Sequence, residues 1–164
     1  MIQEFTDRMA IVDTVIAYAT AVDTTDWEGL RALFTDDARW EYQGSGDQFV
    51  GPGAIADRIS ASVRRLDATQ HLNANHVFTI HGDDAEHTCY YHAQHVRRGL
   101  PGGERFLAGG RYDDRLRRTP DGWRFTERTI TNIWSEGNPA VLSASSWHEE
   151  AARPEGSMGT SHAP

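Results

Sequence analysis

Two hydrophobic periods divide the chain. Up to about residue 66, apolar positions recur at steps of three and four; from Thr69 onward they alternate with polar ones. Ile2, Phe5, Met9, Val12, Ile16 and Ala19 form one such stripe and predict an amphipathic helix over about Gln3–Ala21. One more step of four lands on Asp23, where the pattern calls for a core residue. An ionised carboxylate desolvated without a partner costs at least several kcal/mol, so Asp23 is expected to point inward onto one. Thr25-Asp26-Trp27-Glu28 fits a capping box with Thr25 at N-cap, which opens a second helix over about Asp26–Phe34. Ala38–Gln43 reads as a short strand, Gly44–Gly53 as a loop, and Ala54–Leu66 as a third helix with Ile55, Ile59 and Val63 on its buried side.

Four long strands follow, at about His71–His81, Ala85–Arg98, Glu104–Arg117 and Gly122–Trp134, separated by hairpin-like loops. Gly109-Gly110 in the third of them suggests a bulge or bend. Three helices ahead of such a sheet must bury their stripes on one of its faces. The expected class is therefore α+β: a strongly curved, mainly antiparallel sheet closed by three N-terminal helices. A sheet bent around helices leaves an open end, which is a natural place for a pocket. Residues 1–134 make one domain. Ser135–Pro164, rich in Ser, Gly, Pro and Ala, reads as a partly disordered tail, of which Val141, Leu142 and Trp147 are apolar enough to fold over a pocket mouth.

Composition narrows the partners. A net charge of −8 argues against nucleic acid and against an anionic membrane surface. No stretch approaches the ~20 apolar residues of a membrane span, and Met1–Ala10 lacks the apolar run of a signal peptide. The single Cys89 rules out an intrachain disulfide and fits a reducing, cytoplasmic setting. Sheet faces left bare by the helices lead to an expected homodimer or homotrimer.

The motifs for nucleophilic hydrolysis and for nucleotide binding are missing: there is no G-x-S-x-G elbow, no P-loop, and no Gly-rich turn between a strand and a helix. His92 and His95 are three apart on a strand and so face opposite sides. His71 and His76, five apart, do the same unless a bulge intervenes. His81, His87 and His148 lie near turns or in the tail and are expected in solvent. With no clustered Cys/His spacing, neither a metal nor any other cofactor is expected. What remains is acid–base chemistry by a carboxylate, a histidine and tyrosine hydroxyls around an apolar hole.

Tyr18-x4-Asp23-x2-Asp26-Trp27, Phe34, Arg39-Trp40-Glu41-Tyr42, Gly51-Pro52-Gly53, Thr69-Gln70-His71, Gly109-Gly110-Arg111-Tyr112 and Asp121-Gly122-Trp123-Arg124-Phe125 together resemble SnoaL-like proteins of the nuclear-transport-factor-2-like superfamily. The resemblance spans about Phe5–Trp134 and implies a cone of curved sheet closed by three helices. Within the superfamily the Asp, His and Tyr motifs are similar to those of scytalone dehydratase, bile-acid dehydratase and hexachlorocyclohexane dehydrochlorinase. The tyrosine that directly precedes the Asp in scytalone dehydratase is Val22 in this chain.

Carried over residue by residue, the resemblance falls on Asp23, His71, Tyr18 and Tyr42. It implies a cofactor-independent lyase or isomerase acting on a small, hydrophobic, ring-containing metabolite of polyketide, steroid or terpenoid type. His71 would be the general base, Asp23 its orienting partner, and Tyr42 or Tyr18 a hydrogen-bond donor to the developing oxyanion. His92, Asn73 and Arg128 are candidates for holding polar substrate atoms, and Trp40, Phe34 and Trp134 for lining the hole. An aldol-type polyketide cyclase and a non-catalytic module like the small subunit of ring-hydroxylating dioxygenases are the competing readings.

Overall fold

The computed structural model describes residues 2–142. Its elements run α1 (Ile2–Thr24), α2 (Trp27–Arg31), β1 (Phe34–Tyr42), β2 (Gln48–Val50), α3 (Pro52–Val63), β3 (Ala68–His81), β4 (Asp84–Val96), β5 (Arg105–Thr119) and β6 (Gly122–Gly137), with a 3₁₀ turn at Pro139–Val141. The six strands form one mixed sheet in the order β2-β1-β6-β5-β4-β3. β3 to β6 are an antiparallel meander, while β1 pairs parallel with β6. The class is the α+β expected. β1 begins four residues earlier than its aromatic run suggests, and β2 lies in what reads as pure loop.

Three irregularities set which side chains face the helices. In β3 the register to β4 shifts between Ala74 and Val77, and Asn75 takes φ +59°. In β6 one extra residue enters between Phe125 and Glu127, and another between Asn132 and Trp134. Each such bulge reverses the inward–outward alternation beyond it. Inward positions therefore run His71, Asn73, then His76 on β3, and Trp123, Phe125, then Arg128, Ile130 and Asn132 on β6. Beyond the last bulge, Trp134 turns to the outer face.

α1 lies across the inner face but not by the stripe its strongest period suggests. Ile2, Phe5, Met9 and Ile16 are exposed, and Ile11, Val15, Tyr18 and Val22 are the buried row. The two apolar rows are offset by two residues, about 200° around the helix, and only one can meet the sheet. Polar contacts fix the choice. Asp7 accepts hydrogen bonds from Arg118 Nη1 (2.6 Å) and Trp123 Nε1 (3.4 Å), and Thr14 donates to the Trp123 carbonyl (3.2 Å). The turn after α1 also differs: Thr25 sits at φ +59° and Asp26 is the N-cap of α2, accepting from the Gly29 N–H at 2.9 Å. The core between helices and sheet holds Ile11, Val15, Leu30, Trp40, Ile55, Leu116 and Phe125.

Chain beyond β6 is ordered as far as it is described: Val141 is buried and Leu142 is half-buried. Trp147 lies outside the described residues.

Gly109-Gly110 sits beside the second β6 bulge, and neither residue has room for a side chain. A Cβ on Gly109 would lie 2.3 Å from Trp134, and one on Gly110 2.1 Å from the Thr131 carbonyl. Gly110→Ala is expected to cost about 1–3 kcal/mol, read as a lower urea midpoint. An unchanged midpoint would contradict this register.

Candidate active site

α1 extends to Thr24, three residues past its expected end, and so delivers Asp23 to the inner face of β3. There the carboxylate takes hold of one residue twice. Oδ1 lies 2.6 Å from His71 Nδ1, and Oδ2 accepts the His71 backbone N–H at 2.8 Å. The side chains of both are largely sheltered, His71 the more so at 9% exposure. A carboxylate accepts only, so Nδ1 carries a proton, and in the neutral ring the lone pair is then on Nε2. The expected Asp23 partner is thus the residue singled out from sequence as the candidate base.

His71 borders a cavity lined by Tyr18, Trp40, Tyr42, Tyr91, Ala93, His95, Phe106, Tyr112, Ile130 and Asn132, with Ile59 and Val63 from α3 and Leu142 from the chain's end. The space open to the centres of water molecules is about 70 Å³, several times the ~10–15 Å³ that one water needs. Trp40 Nε1 donates to the Tyr18 hydroxyl at 3.2 Å, which leaves the Tyr18 O–H available as a donor. Burial raises the pKa of Tyr18, Tyr42 and Tyr112 above the ordinary phenol value and that of Tyr91 to about 12. The cavity's phenols are therefore neutral hydrogen-bond donors at any working pH.

His95, whose register sequence leaves open, faces inward. Its ring stands edge-on to His71 at 5.7 Å, and its Nδ1 is 3.0 Å from Thr69 Oγ1. Burial, reinforced by the neighbouring His71, lowers its pKa to about 4. It is a second, neutral imidazole in the wall. The signal for it was present: Ala85, His87, Cys89, Tyr91, Ala93 and His95 are one unbroken alternating face of β4.

Of the other expected site residues, Trp40 and Tyr42 reach the cavity and several do not. His92 is on the outer face of β4, and Trp134, turned outward by the bulge, packs against it at 5.2 Å. Phe34 is buried behind Tyr18, tilted on Phe125 at 5.4 Å. Asn73 faces inward outside the cavity wall, its amide nitrogen buried with no hydrogen-bond partner among the described residues. Arg128 is fully buried and bound to Asp114 through Nε (2.7 Å) and Nη2 (2.8 Å). Its guanidinium lies 4.1–4.2 Å from the ring centres of Tyr18, Tyr112 and Phe125, so it backs the tyrosines of the cavity floor rather than facing a ligand. His87, expected in solvent, is 1% exposed and lies 2.9 Å from the same Asp114.

An open mixed sheet under three helices, with a carboxylate–imidazole pair at the mouth of an aromatic cavity, defines a class of small α+β pocket proteins. Residues 3–129 match the model of the SnoaL-like domain, and the chain belongs to that family. It is 27% identical over 135 residues to the uncharacterised protein Rv2910c of Mycobacterium tuberculosis, an alignment covering 82% of this chain and 91% of that one. Among solved structures it resembles Kfla4162 of Kribbella flavida (27% identity, TM-score 0.78, 85% of this chain and 98% of that one). It also shares the fold of hexachlorocyclohexane dehydrochlorinase LinA-type3 from Novosphingobium barchaimii (18% identity, TM-score 0.73, 84% and 94%). Other neighbours of this shape are described as NTF2-like.

The buried His95 makes stability pH-dependent. Its folded pKa of about 4 lies below the ordinary 6.5, so between these values the unfolded chain holds a proton that the folded chain does not. Stability then falls as pH drops through that window, by up to ~1.4 kcal/mol per unit from this group. His95→Gln should flatten the slope of unfolding free energy against pH between 6.5 and 4, measured by urea titration. An unaltered slope would mean that His95 is solvated.

Proposed function

We propose that the protein is a cofactor-independent lyase or isomerase that removes a proton from a small, largely apolar, ring-containing substrate. The observation that carries this reading is the double grip of Asp23 on His71, which leaves Nε2 as a lone pair beside the cavity. A hydrogen-bonded imidazole with a fixed tautomer is the equipment of a general base, and Asp23 stabilises the imidazolium formed as the proton arrives. Tyr18 and Tyr42, which line the cavity and are kept neutral by burial, would donate to an enolate oxygen or to a departing hydroxyl. The electron pair released at carbon then expels a leaving group, or shifts a double bond when none is present. The dehydrochlorinase sharing this fold is named for an elimination, which supports the first course.

No helix of the described residues is long and apolar enough to cross a membrane, and the reading places the protein in the cytoplasm. The outer sheet face carries exposed Leu72, Val77, Tyr90, Ile133 and Trp134, a surface suited to the homodimer or homotrimer expected from sequence.

The test begins with a panel of cyclic enones and β-hydroxy ketones, scored by thermal stabilisation, followed by product mass for those that bind. Loss of water marks elimination. His71→Ala and Asp23→Asn should each lower turnover at least ~100-fold while ligand-induced stabilisation persists. Near-wild-type turnover in either variant would end the mechanism.

A further inference from the structure

A second constellation lies further along β3 and β4 and takes no part in the chemistry above. His87 and Cys89 are two apart on β4 and both point inward, at 1% exposure each. His76 comes from β3 and reaches them because of the bulge. Its neighbour Asn75 adopts a left-handed conformation, which asparagine takes more readily than other non-glycine residues. The result is that His76 Nδ1 lies 3.0 Å from His87 Nε2, and the donor atoms of His76, His87 and Cys89 all lie within 4.8 Å of one another.

We infer that His76, His87 and Cys89 bind a borderline-soft divalent transition ion, with Zn²⁺ the best match, and that Asp114 is the second-shell carboxylate that orients His87. Three features support this. The donor set is two imidazoles and one thiol, the types that select Zn²⁺ or copper over Mg²⁺ and Ca²⁺. His87 gives its Nδ1–H to Asp114 at 2.9 Å, which fixes the Nε2 lone pair toward the cluster, as in the carboxylate–histidine–zinc arrangement. Asp114 is itself held by both Arg128 contacts and cannot swing in to neutralise His87 by another route.

The two imidazoles need little adjustment, and Cys89 closes the remaining separation by rotating its side chain toward them. Tetrahedral coordination at ~2.0–2.1 Å from each nitrogen separates two imidazole nitrogens by about 3.3 Å, against 3.0 Å when His76 Nδ1–H donates to His87. On binding, His76 moves its proton from Nδ1 to Nε2. Cys89 releases its proton to solvent and becomes the anionic ligand. The Asp114 charge is already balanced by Arg128, so the thiolate supplies one negative charge to the ion and a hydroxide in the fourth position supplies the second. The fourth position falls to a water or hydroxide, which arrives past the half-buried His76. Sequence spacing conceals the set, because the third ligand depends on a bulge that no periodicity announces.

The experiment uses the full chain, stripped with a chelator and titrated with Co²⁺ as a spectroscopic stand-in for Zn²⁺. The inference predicts one equivalent bound, with thiolate-to-cobalt charge-transfer absorption in the near ultraviolet and the visible bands of a four-coordinate ion. Zn²⁺ should displace the cobalt and raise the melting temperature. Cys89→Ser should abolish the charge-transfer band, and His76→Ala, which removes a direct ligand, should weaken binding by at least the ~100-fold upper end seen for loss of an outer-shell partner. His76 is only half-buried, so its variant remains informative if Cys89→Ser does not fold. Absence of stoichiometric binding, a spectrum without the thiolate band, or affinity unchanged by His76→Ala would each overturn the assignment. The cluster would then be a hydrogen-bonded His76–His87–Asp114 chain and nothing more.

Discussion

A carboxylate at the end of the first helix closes two hydrogen bonds on a single residue of the third strand, and the arrangement of the cavity follows from that contact. One oxygen takes the His71 ring proton and the other takes its backbone N–H. The first bond fixes the tautomer. The second fixes the height of helix and strand relative to each other, so the imidazole cannot slide along β3. Asp7 and Thr14, about four and two and a half turns nearer the start of α1, bind Arg118 and Trp123 beside the β5–β6 turn. The helix is thus clipped to the sheet at both ends by polar groups, and its apolar row fills the space between.

The floor beneath the cavity is charged rather than greasy. Arg128 and Asp114 are both fully buried, and their mutual attraction must offset a desolvation cost of several kcal/mol per ion. Three aromatic faces packed on the guanidinium add cation–π attraction. The pairing holds Tyr18 and Tyr112 in place from behind, which orients hydroxyls that a purely apolar core would leave free to rotate. It also continues through His87 to His76, so one polar network runs from the back of the active site to the bulge in β3.

Much of this was legible in the residues. The change of period near Thr69, the four long strands and the inward Asp23 follow from pattern and from the energetics of a buried charge, while the choice of His71 came from the resemblance to SnoaL-like proteins. The reasoning about α1 was correct in outcome and wrong in premise. Asp23 does face a partner, yet most of the stripe leading to it (Ile2, Phe5, Met9 and Ile16) is exposed, because a helix with two apolar rows gives no sequence signal of which row the sheet takes. What strict alternation could not supply was the position of three bulges. Each reverses a strand's facing, and together they bring His76 and Arg128 inward and send Trp134 out. Only Gly109-Gly110 hinted at one of them, since close approach of Trp134 and Thr131 leaves no room for a side chain there. His92 and His95 were correctly read as facing opposite ways; which of the two faced in depended on strand phase.

The central claim is that Asp23 holds His71 with its proton on Nδ1 and its lone pair on Nε2. Nitrogen-15 NMR of histidine-labelled protein reads this directly. The account predicts that the His71 ring is locked in the Nδ1–H tautomer near neutral pH, with a slowly exchanging, strongly deshielded Nδ1 proton that disappears in Asp23→Asn. An Nε2–H tautomer, or a ring averaging between the two forms identically in wild type and Asp23→Asn, would contradict it.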